Sequence, residues 1–153
     1  MAFGADGGVG KTRKLVEGVI KELGLDPGEC ALEASSGGAA WRVAKGSAHV
    51  MIAVNPSGEG KAARLRVVSP LIAMDEETSP GLLRRLLELN GTELPGVAFG
   101  VIGDKVVLVA ERGVSGLDRI EVAEMLSSIG YYADKYDDDL VEQFGGTRVW
   151  DLD

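Results

Sequence analysis

Leu15, Val16, Val19, Ile20 and Leu23 recur with helical period between Lys11 and Leu23, and Gly24 stands where a C-terminal cap belongs. After Asp26-Pro27-Gly28 the rhythm changes to three short, turn-bounded segments, about Cys30 to Ala34, Ala40 to Ala44 and His49 to Asn55. In the third, Val50, Ile52 and Val54 alternate with His49, Met51 and Ala53, which marks one dry face and one wet one. A fourth strand alternates Leu65 and Val67 with Arg64 and Arg66. Strand-formers at this spacing predict a meander.

Ser79-Pro80 opens a second helix that carries Leu82, Leu83, Leu86, Leu87 and Leu89 before Asn90-Gly91 ends it. Five leucines make a broad apolar surface, to be buried inside the monomer or partly given to a partner. Val97 to Ile102 and Val106 to Ala110 then flank Gly103-Asp104, the signature of a two-residue hairpin turn. The second arm is apolar on both faces, as a central strand would be, or an edge covered by another chain. In the last helix Val122, Leu126, Ile129, Ala133, Tyr136, Leu140 and Phe144 recur at spacings of three and four. Ser115 followed by Asp118 resembles a cap at its start, and Gly145-Gly146 stops it.

The pattern predicts an α+β fold in the order helix, antiparallel β-meander, helix, β-hairpin, long C-terminal helix. Residues 1–10 read as a flexible glycine-rich leader, 11–146 as a single α+β domain and 147–153 as a C-terminal tail. With 153 residues, 45% of them hydrophobic, the chain can bury a self-sufficient core.

Charge narrows the choice of partners. Sixteen Lys and Arg against 24 Asp and Glu give a net charge of −8, and the basic residues do not cluster, which argues against nucleic acid and anionic membranes. No stretch of 18 apolar residues occurs and the start lacks a signal-peptide run, so a cytoplasmic location is expected.

Candidate chemistry is thin. Cys30 and His49 are single examples of their types, which excludes an intramolecular disulfide and a Cys/His metal cluster. No nucleophile and base can be assembled around them. The expectation is therefore a non-enzymatic protein, with no metal and no cofactor, whose partner is another protein. Leu82, Leu86 and Leu89 are the candidate partner-binding residues of the leucine-rich helix. Trp41 and Trp150 join them, because aromatics make up only 5% of the chain and an exposed tryptophan is a strong interface anchor.

One local motif offers an alternative. Ala5-Asp6-Gly7-Gly8-Val9-Gly10-Lys11-Thr12 looks like a phosphate-binding loop of the deviant Walker type, in which Gly10, Lys11 and Thr12 would bind nucleotide. Such a loop needs a buried strand to aim it, and only Met1 to Gly4 precede it. The acidic string Asp134, Asp137, Asp138, Asp139 and Glu142 lacks the glycine and ligand spacing of a calcium loop and reads as a solvated helix face.

The succession of elements resembles the YbjN family, whose members are similar in fold to type III secretion chaperones. The resemblance rests on Ala40-Trp41-Arg42-Val43, on Leu65-Arg66-Val67-Val68-Ser69-Pro70, on the helix Leu82 to Asn90, and on Tyr132 to Leu140 through Phe144-Gly145-Gly146. It implies a small acidic cytosolic module that binds unfolded segments of other proteins, commonly as a homodimer, in a chaperone-like or regulatory role. The family's description as sensory regulators adds a third reading, a small-molecule sensor domain. None of these residues is a catalytic signature.

Overall fold

In the computed structural model, which describes residues 7–58 and 62–152, the elements run α1 (Val9–Glu22), α2 (Pro27–Cys30), β1 (Ala31–Leu32), β2 (Ala39–Lys45), β3 (Ala48–Asn55), β4 (Arg64–Ala73), α3 (Gly81–Thr92), β5 (Ala98–Ile102), β6 (Lys105–Gly113), α4 (Arg119–Phe144) and β7 (Thr147–Arg148), with a final turn of 3₁₀-helix at Val149–Asp151. The strands form one sheet in the order β1-β2-β3-β4-β6-β5, and β7 pairs with β4. β1 with β2, β4 with β7 and β5 with β6 are antiparallel. The two residues between β2 and β3 and the eight between β3 and β4 are too few for a parallel crossover. The expected antiparallel α+β architecture is the one found, and β6 lies inside the sheet as its two apolar faces require.

The chain forms two compact units, one from Met1–Val43, Met51–Val67 and Glu111–Leu126, the other from Ala44–Val50, Val68–Ala110 and Ser127–Asp153. The core of the first is aliphatic apart from Trp41, with Val16, Ile20, Ile52 and Leu65 fully buried. On its wet side Arg64 and Arg66 both reach Glu111, at 3.0 and 2.7 Å. Burial pushes that carboxyl up, but the two guanidiniums outweigh burial and hold it below its ordinary range.

The second unit buries Val50, Ile72, Leu82, Leu89, Leu108 and Ile129. Each such aliphatic side chain contributes about 1.5–3 kcal/mol by leaving water. Tyr136 donates its hydroxyl to Glu93 at 2.8 Å and meets the Phe99 ring edge-on at 5.7 Å. Burial, then the bond to Glu93, pushes the phenol pKa up.

Local departures from the sequence reading have simple causes. Helix α1 starts at Val9, two residues before Lys11, because Val9 is itself buried and Gly8 takes the left-handed conformation, φ 91°, that turns the chain into it. Residues 1–6, most of the expected leader, lie outside the described residues. Cys30 closes the short helix α2 and does not open a strand, since Asp26 accepts hydrogen bonds from the N–H groups of Gly28 and Glu29. At α4 the cap is Asp118, not Ser115: Asp118 accepts from Glu121 N–H at 2.8 Å while Glu121 accepts from Asp118 N–H at 3.0 Å.

Candidate functional site

The leucine-rich helix divides its surface sharply. Leu82, Leu86 and Leu89, the partner-binding candidates of this helix, point inward at 0, 4 and 0% exposure and pack as core residues. Their neighbours Leu83 and Leu87 are left in water at 48 and 71%. The sequence reading missed this pair, although the period of 3.6 residues that puts Leu82, Leu86 and Leu89 on one stripe necessarily turns Leu83 and Leu87 toward its margin. Beside them runs β5, the last strand of the sheet, with Val101 and Ile102 also exposed, at 47 and 53%. Leu83, Leu86, Leu87 and Asn90 on α3 and Phe99, Gly100 and Val101 on β5 line a hollow of about 240 Å³. Asn90 ties the two elements: its Nδ2 donates to Phe99 O at 3.1 Å, and its Oδ1 accepts from Phe99 N–H at 2.7 Å.

A second open margin lies in the first unit. Strand β1 pairs only Ala31 with Trp41 and Leu32 with Ala40, so at Arg42 and Val43 β2 is itself the sheet edge. Next to it, Arg13, Leu32, Gly38 and Trp41 are among the residues lining a hollow of about 210 Å³. Trp41, the other candidate of this region, is only 2% exposed, a core residue whose flank borders this hollow.

Trp150 is half-buried and held. Its indole N–H donates to Asp137 at 3.4 Å and the Arg148 guanidinium stacks over its ring at 4.3 Å. Arg148 also pairs with Asp138 and, at 2.8 Å, with Asp151. Asp134 receives Ser47 through its hydroxyl and, at 3.2 Å, its N–H. Much of the acidic string is thus engaged within the second unit and is not simply a solvated face. Burial pushes the Asp137 carboxyl above its usual range, and the charges of Asp138 and Asp134 add to the shift against opposing hydrogen bonds. A carboxyl raised in the folded state favours folding while it stays protonated, and that stability is lost as pH rises through its native pKa. Asp137→Asn should therefore gain thermal stability relative to the parent as pH is raised from about 4 toward neutrality. Melting curves at several pH values check this, and a constant difference across the window would contradict it.

The model of the family described as T3SS (YopN, CesT) and YbjN peptide-binding chaperone 1 matches residues 11–152. The chain belongs to this family. Among solved structures it is similar to a chain of the ExsC–ExsE complex, with a TM-score of 0.62 and 16% identity over 86% of this chain and 95% of that one. It is also similar to a chain of the HopA1–SchA chaperone–effector complex, with a TM-score of 0.58 and 11% identity over 83% of this chain and 93% of that one. A third likeness is to a chain of the Yersinia pestis type III secretion chaperone SycH in complex with a fragment of YscM2, with a TM-score of 0.55 and 19% identity over 80 and 96%. At such identities the likeness is one of fold. A comparison with curated proteins finds no match.

Of the phosphate-loop alternative, Gly10, Lys11 and Thr12 all lie in the first turn of α1. Thr12 is 2% exposed and its hydroxyl donates to Gly8 O at 2.9 Å inside the first turn of α1. Gly10 and Lys11 are residues of the same helical turn, and Ala5 and Asp6 of the motif lie outside the described residues. The two hollows, at about 210 and 240 Å³, are each smaller than the roughly 300–1,000 Å³ of a ligand pocket and lend the sensor reading no support. Among the described residues no group of His, Cys, Asp and Glu is arranged to hold a metal ion, and no helix is long and apolar enough to cross a membrane.

Proposed function

We propose that this chain is a non-catalytic, peptide-binding chaperone or regulatory adaptor of the cytoplasm, that the stretch from Lys11 onward works as one module, and that it acts as a homodimer. The observation that carries this reading is the strip of exposed apolar side chains, Leu83, Leu87 and Val101, at the margin formed by α3 and the edge strand β5. A patch that combines a helix face with a strand edge can meet its own copy across a two-fold axis, each helix covering the other's strand. Membership of a peptide-binding family supports the client half of the reading, as does the likeness to a chain of a chaperone–effector complex. The client is an unfolded segment of another protein, held in extended form at the β2 margin, where main-chain groups give affinity and the neighbouring hollow takes side chains. The net charge of −8 favours a client richer in Lys and Arg and disfavours nucleic acid.

Light scattering coupled to gel filtration tests the dimer. The parent chain should elute as a dimer, and Leu87→Asp as a folded monomer with stability changed by no more than about 0.5 kcal/mol, since the side chain is already in water. A parent that is strictly monomeric at every concentration would remove the reading.

A further inference from the structure

The hairpin β5-β6 has a fixed register, with Ile102 opposite Lys105, Val101 opposite Val106, Gly100 opposite Val107 and Phe99 opposite Leu108. Across a two-residue turn the flanking pair, Ile102 and Lys105, exchanges hydrogen bonds, and bonded and non-bonded pairs alternate from there. Ala98, Gly100 and Ile102 therefore direct their backbone groups at β6, while Phe99 and Val101 direct theirs outward, over the edge of the sheet. The geometry at Phe99 agrees, because its N–H and C=O are both taken by the Asn90 amide.

We infer that Asn90 is an edge guard: by occupying both outward backbone groups of Phe99 it stops an added strand from zipping along β5, so that the α3/β5 surface takes a second copy of this chain by side-chain packing and rejects extended segments. An incoming strand bonds to every second residue of the edge it joins, so it needs Phe99 and Val101 together. With Phe99 closed, Val101 alone is open, and one residue's pair of bonds does not hold a strand. The apolar side chains of Leu83, Leu87 and Val101 remain available to a partner that brings side chains. An exposed edge strand with apolar neighbours is an aggregation hazard unless something blocks it, and Asn90 is a block supplied from the helix. In this way the residue decides which of two kinds of protein partner the surface admits. The inference rests on the dimer reading for its biological sense, but its test does not.

The test uses the full chain with Asn90→Ala and Asn90→Leu, the second being close to isosteric and a stronger helix former. Amide exchange at Phe99 should accelerate by about tenfold or more in both. Both should form concentration-dependent species larger than the parent's, with thioflavin fluorescence. Adding Val101→Pro, which removes the remaining outward N–H of the edge while leaving the bonds to β6 in place, should return the parent's size and abolish the fluorescence. The inference is overturned by three outcomes: Asn90 variants that keep the parent's association state, larger species that persist with Val101→Pro, or loss of the native fold in both variants, which would make Asn90 a brace only. Leu87→Asp, run alongside, separates the two ideas, because a dimer that survives it sinks the proposed function and leaves the edge experiment to be judged on its own readout.

Discussion

Leu86→Asp is expected to abolish the cooperative unfolding transition, whereas Leu87→Asp, one residue further along the same helix, leaves it in place. Leu86 is 4% exposed and its neighbour 71%. An aspartate at the first position must either ionise in an apolar interior or take up a proton to avoid doing so, and either course costs several kcal/mol. Added to the loss of leucine burial, the penalty is about 4 kcal/mol or more, comparable with the whole stability of a small domain at roughly 5–15 kcal/mol. Far-ultraviolet dichroism against temperature reads the difference directly. A Leu86→Asp chain melting like its parent would mean that α3 is rotated from the position described.

The second large effect is expected at the end of α4. Gly145 and Gly146 both have positive φ, 84° and 89°. A Cβ at Gly145 would meet nothing within 4 Å, so Gly145→Ala should cost only the left-handed backbone penalty of about 1–2 kcal/mol. At Gly146 a Cβ would lie 2.8 Å from Ile72 Cγ2 and 3.0 Å from Ala73 O. Gly146→Ala adds that overlap to the same backbone strain and should cost about 3 kcal/mol in all. It should also weaken the pairing of Ile72 with Arg148 and Ala73 with Thr147 that holds β7 on β4. Urea denaturation of the two variants, compared with each other, isolates the contribution of close approach. Equal losses would show that Ile72 yields without cost.

Where one face of an element is buried, the sequence carries its outline. Val50, Ile52 and Val54 are all fully buried while Met51 and Asn55 are exposed, as the alternation predicts. The hairpin turn at Gly103-Asp104 and the long run of α4 follow from equally local signals, a glycine with φ 61° in one case and a sustained period in the other. Leu82, Leu86 and Leu89 were legible as a stripe, but a stripe does not say whether it faces inward. That depends on which side of α3 the sheet lies, a tertiary fact. Asn90 was legible only as the end of a helix. Its pairing with Phe99 depends on the hairpin folding back alongside α3, which no local pattern encodes. Trp150 and the acidic string illustrate the same limit, for the residues that engage them, Arg148 and Ser47, gain meaning only once the tail and the β2-β3 turn are in position.

The placement of the two tryptophans gives the molecule a pair of built-in optical reporters, since it has only two such residues and they inhabit different settings. Trp41, 2% exposed in the first unit, emits from a dry aliphatic interior. Trp150, in the second, lies beneath a guanidinium that salt and acid can draw away. With Trp41 replaced by phenylalanine, the remaining signal follows the release of the C-terminal segment alone; with Trp150 replaced, it follows the melting of the interior.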